Sequence, residues 1–93
     1  MNLAELVIPQ EVRQRYLERR KKDLLTLKSA LQSKCYDDFK RIGHQLKGNA
    51  ASFGYLDLEK LAIQLENVSL NGTDSLLAAQ LVHQFEDWLK SAS

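Results

Sequence analysis

The sequence offers few side chains for covalent chemistry: two histidines, His44 and His83, and one cysteine, Cys35, among 93 residues. His44 has the most suggestive neighbours. Lys47 follows at i+3, Gly48 at i+4 and Ala51 at i+7, with Arg41 at i−3 and Lys40 at i−4. On a helix turning about 100° per residue, Gly48 and Ala51 fall within about 40° of His44. Neither would shield the imidazole, which would then stand on a bare shelf with cations on several sides. Neutral imidazole carries a lone pair near pH 7. Phosphoryl transfer needs in-line access and neutralisation of charge on the equatorial oxygens. The small residues supply access, and Lys47 supplies a point charge. Spacing alone leaves two readings open: a phosphoryl acceptor, or an ordinary exposed histidine beside basic residues.

His83 serves as an internal control. Its neighbours are Ala79, Gln80, Glu86 and Asp87, with no cation at i+3 and no nearby glycine. It reads as a plain surface residue. A metal site built from His44 and His83 fails on spacing: they fall on different helices, both facing outward, without a His-x-x-x-His or Cys-x-x-Cys set. One cysteine excludes an internal disulfide and fits a reducing compartment. The sequence has no P-loop or other glycine-rich nucleotide-binding segment. Autonomous use of ATP is not expected, and no cofactor is expected in this chain.

These side chains need a frame, and the breakers define it. With one proline and four glycines, the chain favours helices over a strand-and-turn fold. The breaks fall at Pro9, Gly54 and Asn71-Gly72, with a weaker polar break at Gln32-Ser33-Lys34. A first helix should begin at Pro9, which suits the first helical position, with Glu11 in the first turn. Its apolar stripe is Tyr16, Leu17, Leu24, Leu27 and Leu31. A second helix runs from about Cys35 to Phe53 and stops at Gly54. Its stripe is Cys35, Phe39, Ile42, Leu46, Ala50 and Phe53, and His44 points about 160° away from Leu46. Gly43 lies at the edge of that stripe, where close helix packing explains it. A third helix carries Leu58, Leu61, Leu65 and Val68. A fourth starts at Thr73, a suitable N-cap, and presents Leu77, Leu81, Phe85 and Trp88. The pattern predicts an all-α fold: an antiparallel up-down four-helix bundle with a short extra N-terminal helix or segment, one domain spanning 1–93. The third helix has a second apolar row, Leu56, Ile63 and Leu70. Leu3, Leu6, Val7 and Ile8 are expected to cover part of it, and a partner could meet the rest.

Thirteen basic and twelve acidic residues leave a net charge of +1. That gives no general reason to expect nucleic acid or a membrane as partner. Residues 11–22 nevertheless hold Arg13, Arg15, Arg19, Arg20, Lys21 and Lys22 against Glu11 and Glu18. Such a run reads first as a solvated face and second as a docking patch. No run is long and apolar enough to span a membrane. The N-terminus lacks the basic start and apolar run of a signal peptide, so a cytoplasmic location is expected. The start at Met1 favours a free-standing protein over a fragment of a larger kinase.

The segment His44-Gln45-Leu46-Lys47-Gly48-Asn49-Ala50-Ala51-Ser52-Phe53-Gly54 resembles the signature of histidine-containing phosphotransfer (HPt) domains: His-x-Leu-Lys-Gly, small residues, an apolar residue and Gly. Tyr16-Leu17 with Asp23-Leu24 are similar to the family's first long helix, and Leu65-Glu66 to a Leu-Glu pair in its following helix. The likeness covers nearly all of the chain. Its His-x-Leu-Lys-Gly core is fairly specific; the flanking leucines are not. The resemblance implies that His44 is phosphorylated on a ring nitrogen, usually Nε2, that Lys47 helps hold the phosphoryl group, and that Gly48 lets a partner approach. Asn49 and Ser52 match the motif more loosely. The implied partners are receiver domains of response regulators or of a hybrid sensor kinase, whose own Mg²⁺ and catalytic residues drive the transfer. Gly48, Ala51, Arg41, Lys40, Gln45 and Ile63 are then the expected partner-facing residues, on a monomer. The competing expectation is a small helical adaptor that binds through Leu56, Ile63 and Leu70, with His44 incidental.

Overall fold

The computed structural model describes residues 8–70 and 75–92, apart from the side chains of Ser69 and Leu70. Those residues form four helices: α1 (Gln10–Ser33), α2 (Asp37–Phe53), α3 (Leu56–Leu70) and α4 (Ser75–Ala92). No strand occurs among them. The expectations placed on Leu3, Leu6, Val7, the Leu70 side chain, the Asn71-Gly72 break and the Thr73 cap lie outside the described residues.

The α1 helix follows Pro9, whose backbone is extended and whose carbonyl accepts the first helical hydrogen bond, from Arg13 N at 3.1 Å. At 24 residues it is about 36 Å long, close to the 39 Å long axis of the molecule. Two helices end in the same way with different residues. Lys34 closes α1 with φ 57°, while Gly54 closes α2 with φ 79°. At each stop the next amide donates back to the helix, Cys35 N to Ala30 O (3.0 Å) and Tyr55 N to Ala50 O (2.9 Å). The first stop corrects one expectation. The left-handed Lys34 ends α1, α2 starts at Asp37, and Cys35 is carried into the turn, where it is exposed instead of lining the core stripe.

Each helix packs on its neighbours in sequence, and α1 also packs on α4, which closes the ring. The core has Leu27, Phe39, Ile42, Leu46, Leu58, Leu65, Leu81 and Phe85 at its centre. The α1 and α3 stripes are buried as the spacing predicts, with Leu31 at the edge. The α4 stripe is rotated from its expected direction. Ala78, Leu81, Val82, Phe85 and Leu89 face inward, while Leu77 is exposed. Trp88 is half-buried and joins an aromatic cluster in which Tyr16, Phe53 and Tyr55 also meet. Ring centroids there are 4.2 Å apart for Tyr16 and Phe53, and 5.1 Å for Tyr55 and Trp88. That cluster ties three helices and the α2–α3 turn together at the Gly54 end. No helix among the described residues is long and apolar enough to cross a membrane.

Candidate functional site

The most extensive packing in the bundle is between α2 and α3, and Gly43 makes it possible. A Cβ at this position would lie 2.5 Å from the Glu66 amide nitrogen and 2.8 Å from the Ala62 carbonyl oxygen. Only a residue without a side chain lets the two backbones approach so closely. Ala62, fully buried on the facing helix, supplies the complementary small side chain. The contact fixes Glu66 of α3 beside the α2 residues that flank Gly43.

His44 and Lys47 both use it. His44 Nδ1 lies 3.3 Å from Glu66 Oε1, and Lys47 Nζ lies 3.1 Å from Glu66 Oε2. The carboxylate is thus shared between an imidazole and an ammonium group. Lys47, foremost, holds the Glu66 carboxyl below its ordinary value; partial desolvation opposes this, and His44 adds a smaller lowering. An ionised carboxylate only accepts hydrogen bonds. A hydrogen bond at this contact requires the proton on Nδ1, and the lone pair of a neutral ring is then on Nε2. The His44 side chain is 71% exposed.

The surroundings of the ring match the shelf inferred from spacing. A Cβ on Gly48 would meet nothing within 4 Å, so no packing inside the molecule requires that glycine. A glycine inside a helix costs about 1 kcal/mol relative to alanine. Ala51 and Gln45 are exposed. A shallow depression lined by Asp37, Lys40, Arg41, His44, Gln45 and Glu66 lies on the N-terminal side of the ring. Arg41 pairs with Asp38 at 3.1 Å, so part of its charge is already balanced. Ile63, on α3 one turn before Glu66, is 41% exposed. The looser motif positions turn inward or along the helix. Asn49 Oδ1 accepts a 2.5 Å hydrogen bond from the Tyr16 hydroxyl and ties α2 to α1, while Ser52 donates to the Gly48 carbonyl at 3.2 Å.

The sequence reading did not assign a site role to Glu66. Its signal was indirect: two small residues, Gly43 and Ala62, lie on separate helices and reveal their pairing only when the helices are docked. His83 is also 71% exposed, and its Nε2 lies 3.3 Å from Asp87 Oδ2 on the same helix. No cation and no second helix join that pair among the described contacts.

A family model described as the Hpt domain matches residues 11–93. No match was found among curated proteins or among solved structures.

Proposed function

Because the chain belongs to the Hpt domain family, whose members transfer phosphoryl groups on histidine in phosphorelays, we propose that His44 is the phosphoryl acceptor and that receiver domains are its donors and acceptors. The observation that carries this reading is the shared Glu66 carboxylate. It engages Nδ1 of a side chain that is 71% exposed, which leaves Nε2 for the incoming phosphorus, and the glycine at i+4 is one that no internal contact requires.

The chemistry follows from that orientation. The Nε2 lone pair attacks the phosphorus of an aspartyl phosphate on the receiver. The P–N bond forms as the bond from phosphorus to the aspartyl oxygen breaks, and the aspartate leaves as a carboxylate with the bonding electron pair. The ring keeps its Nδ1 proton and so gains positive charge, which Glu66 balances. Lys47, beside the same carboxylate, is placed to turn toward the equatorial phosphoryl oxygens. The return reaction runs through the same groups, with a receiver aspartate as nucleophile. In this reading Mg²⁺ and the remaining catalytic groups belong to the receiver. Gly48 and Ala51 form the floor of the docking face, Lys40, Arg41 and Gln45 its margin on α2, and Ile63 its apolar contact on α3.

The same reading takes 1–93 as one domain and the protein as a cytoplasmic monomer. Its helices run up and down, since connections of three residues (34–36) and two residues (54–55) favour a following helix that turns back along its predecessor. The test is incubation with receiver domains charged by a small acyl phosphate. The expected product is an acid-labile, alkali-stable label on the wild-type chain and none on His44→Gln. Label that persists in the variant, or never forms with any receiver, would sink the proposal.

A further inference from the structure

The basic residues of α1 are not all engaged within the fold. Between residues 10 and 33 the sequence places seven basic residues against three acidic ones, in a chain whose net charge is only +1. Arg20 is committed to the fold: its Nε is 2.7 Å from Asp23, and its guanidinium lies over the Tyr16 ring at 4.6 Å. Arg15 and Arg19 are exposed and make no ion pair among the described residues. They border a groove between α1 and α2 whose floor includes Tyr16, Asn49 and Phe53.

This groove adjoins the His44 face. Around the α2 axis, Gly48, Ser52 and Asn49 lie at about 40°, 80° and 140° from His44, so they span the arc from the imidazole to α1. Along the axis, Asn49 is about 7.5 Å from His44. The hydroxyl of Tyr16 fixes Asn49 and thereby the spacing between the two helices. A partner seated over Gly48 and Ala51 would bring its edge onto Arg15 and Arg19.

We propose that Arg15 and Arg19 form a basic docking rim for the receiver domain that exchanges phosphoryl groups with His44, and that they select receivers bearing carboxylates at the matching edge. The inference rests on the phosphotransfer reading and adds to it a second helix and a charge criterion for the partner. Unpaired exposed guanidinium groups act mainly on encounter, because complementary charge steers association and rejects partners of like charge. Rim charges of this kind leave the chemistry at His44 untouched.

The test compares matched charge reversals in the full chain. Lys21 lies on another face of α1, beside Gln10, Leu17 and Ala92, and Lys21→Glu is the control for Arg19→Glu. A receiver domain that labels the wild type, charged with a small acyl phosphate, serves as donor. Arg19→Glu should lower the second-order rate of transfer at low ionic strength, and Arg15→Glu/Arg19→Glu should lower it at least about tenfold, with both deficits shrinking as salt is raised to about 0.5 M. Lys21→Glu should transfer like the wild type. Direct labelling of His44 by phosphoramidate, which needs no docked protein, should be unchanged in every variant and shows that the site is intact. Equal receiver-dependent rates for wild type and double variant would overturn the rim, even if the arginines proved to bind anionic vesicles or nucleic acid. A wild type that no receiver labels would overturn the phosphotransfer reading and the rim with it; a labelled wild type with an unaffected variant would remove the rim alone.

Discussion

His44 and His83 are equally exposed, and each has a carboxylate oxygen 3.3 Å from a ring nitrogen. What separates them is where the carboxylate comes from. At i+4, His83 has Asp87, which pairs with it along the helix surface. At i+4, His44 has Gly48, and its carboxylate comes from α3 across a backbone contact that Gly43 permits. The first arrangement needs only helical spacing and leaves an anion on the outer surface. The second engages Nδ1 from the side, shares the anion with Lys47 and keeps the outer surface bare. An exposed histidine beside an acid is common; one whose acid is held from a neighbouring helix is a built arrangement.

The contrast can be broken at its strongest point first. His44→Gln should abolish phosphoryl labelling entirely, while His83→Gln should leave both its extent and its rate unchanged, as read by acid-labile label on the purified variants. Next in size is Gly48→Asp, which gives His44 the i+4 carboxylate that His83 has. An anion on the shelf opposes the incoming phosphoryl group, so transfer should fall by about a hundredfold (about 2.7 kcal/mol in the barrier). The site is open, so stability should stay within about 0.5 kcal/mol of the wild type. Thermal melting and transfer kinetics on the same preparation check both halves, and unimpaired transfer would undo the argument from the bare shelf.

Gly43→Ala probes the other glycine and should have the opposite signature. Its Cβ would press on the Glu66 and Ala62 backbones, which yield only if the helices separate. Destabilisation of roughly 1–3 kcal/mol is expected, measured by denaturant unfolding, with slower transfer because Glu66 moves with α3. Lys47→Ala should be milder for the fold, under about 1 kcal/mol, since the Lys47–Glu66 pair is partly exposed. It should slow transfer or shorten the life of the phosphorylated state, read by the decay of label.

These cases also mark what the sequence made legible. Four helices, the α2 stripe through Leu46 and the outward direction of His44 follow from periodicity, because apolar burial sets which way a helix faces. The Gly54 stop follows from a residue whose backbone readily takes positive φ. The stop at Lys34 gave only a weak polar signal, since lysine has no preference for that conformation, and Cys35 was therefore placed on the wrong side of the helix start. The α4 face was misread for a related reason. Ala78 is a weak apolar marker, and Leu76, Leu77 and Trp88 compete with the Leu81–Phe85 direction until packing against α1 and α3 decides. Glu66 depended on two helices meeting at Gly43 and Ala62, a fact that no single-helix spacing contains.

The smallest expected effect tests the comparison from the side of the acids. Glu66 and Glu86 are both held below their ordinary value of 4.5. For Glu66 the leading cause is the hydrogen bond from Lys47, with direct help from His44; for Glu86 it is Lys28 of α1, 2.6 Å away, and His83 is the weakest of the causes. A carboxyl whose folded pKa is depressed contributes stability that is present above its unfolded pKa and lost as pH falls through the folded one. Both groups should therefore steepen acid destabilisation from about pH 4.5 downward, and Glu66→Gln or Glu86→Gln should each flatten that limb. The histidines should not act alike. The hydrogen bond from His44 helps to hold the Glu66 carboxyl down, so His44→Gln should move that carboxyl titration upward, as followed by carbon NMR. His83→Gln should leave the Glu86 titration nearly in place, because Lys28 still sets it. Equal shifts at the two glutamates would mean that His44 is coupled to its acid no more closely than a surface histidine is, and would remove the basis for assigning Nδ1 to Glu66 and Nε2 to the phosphoryl group.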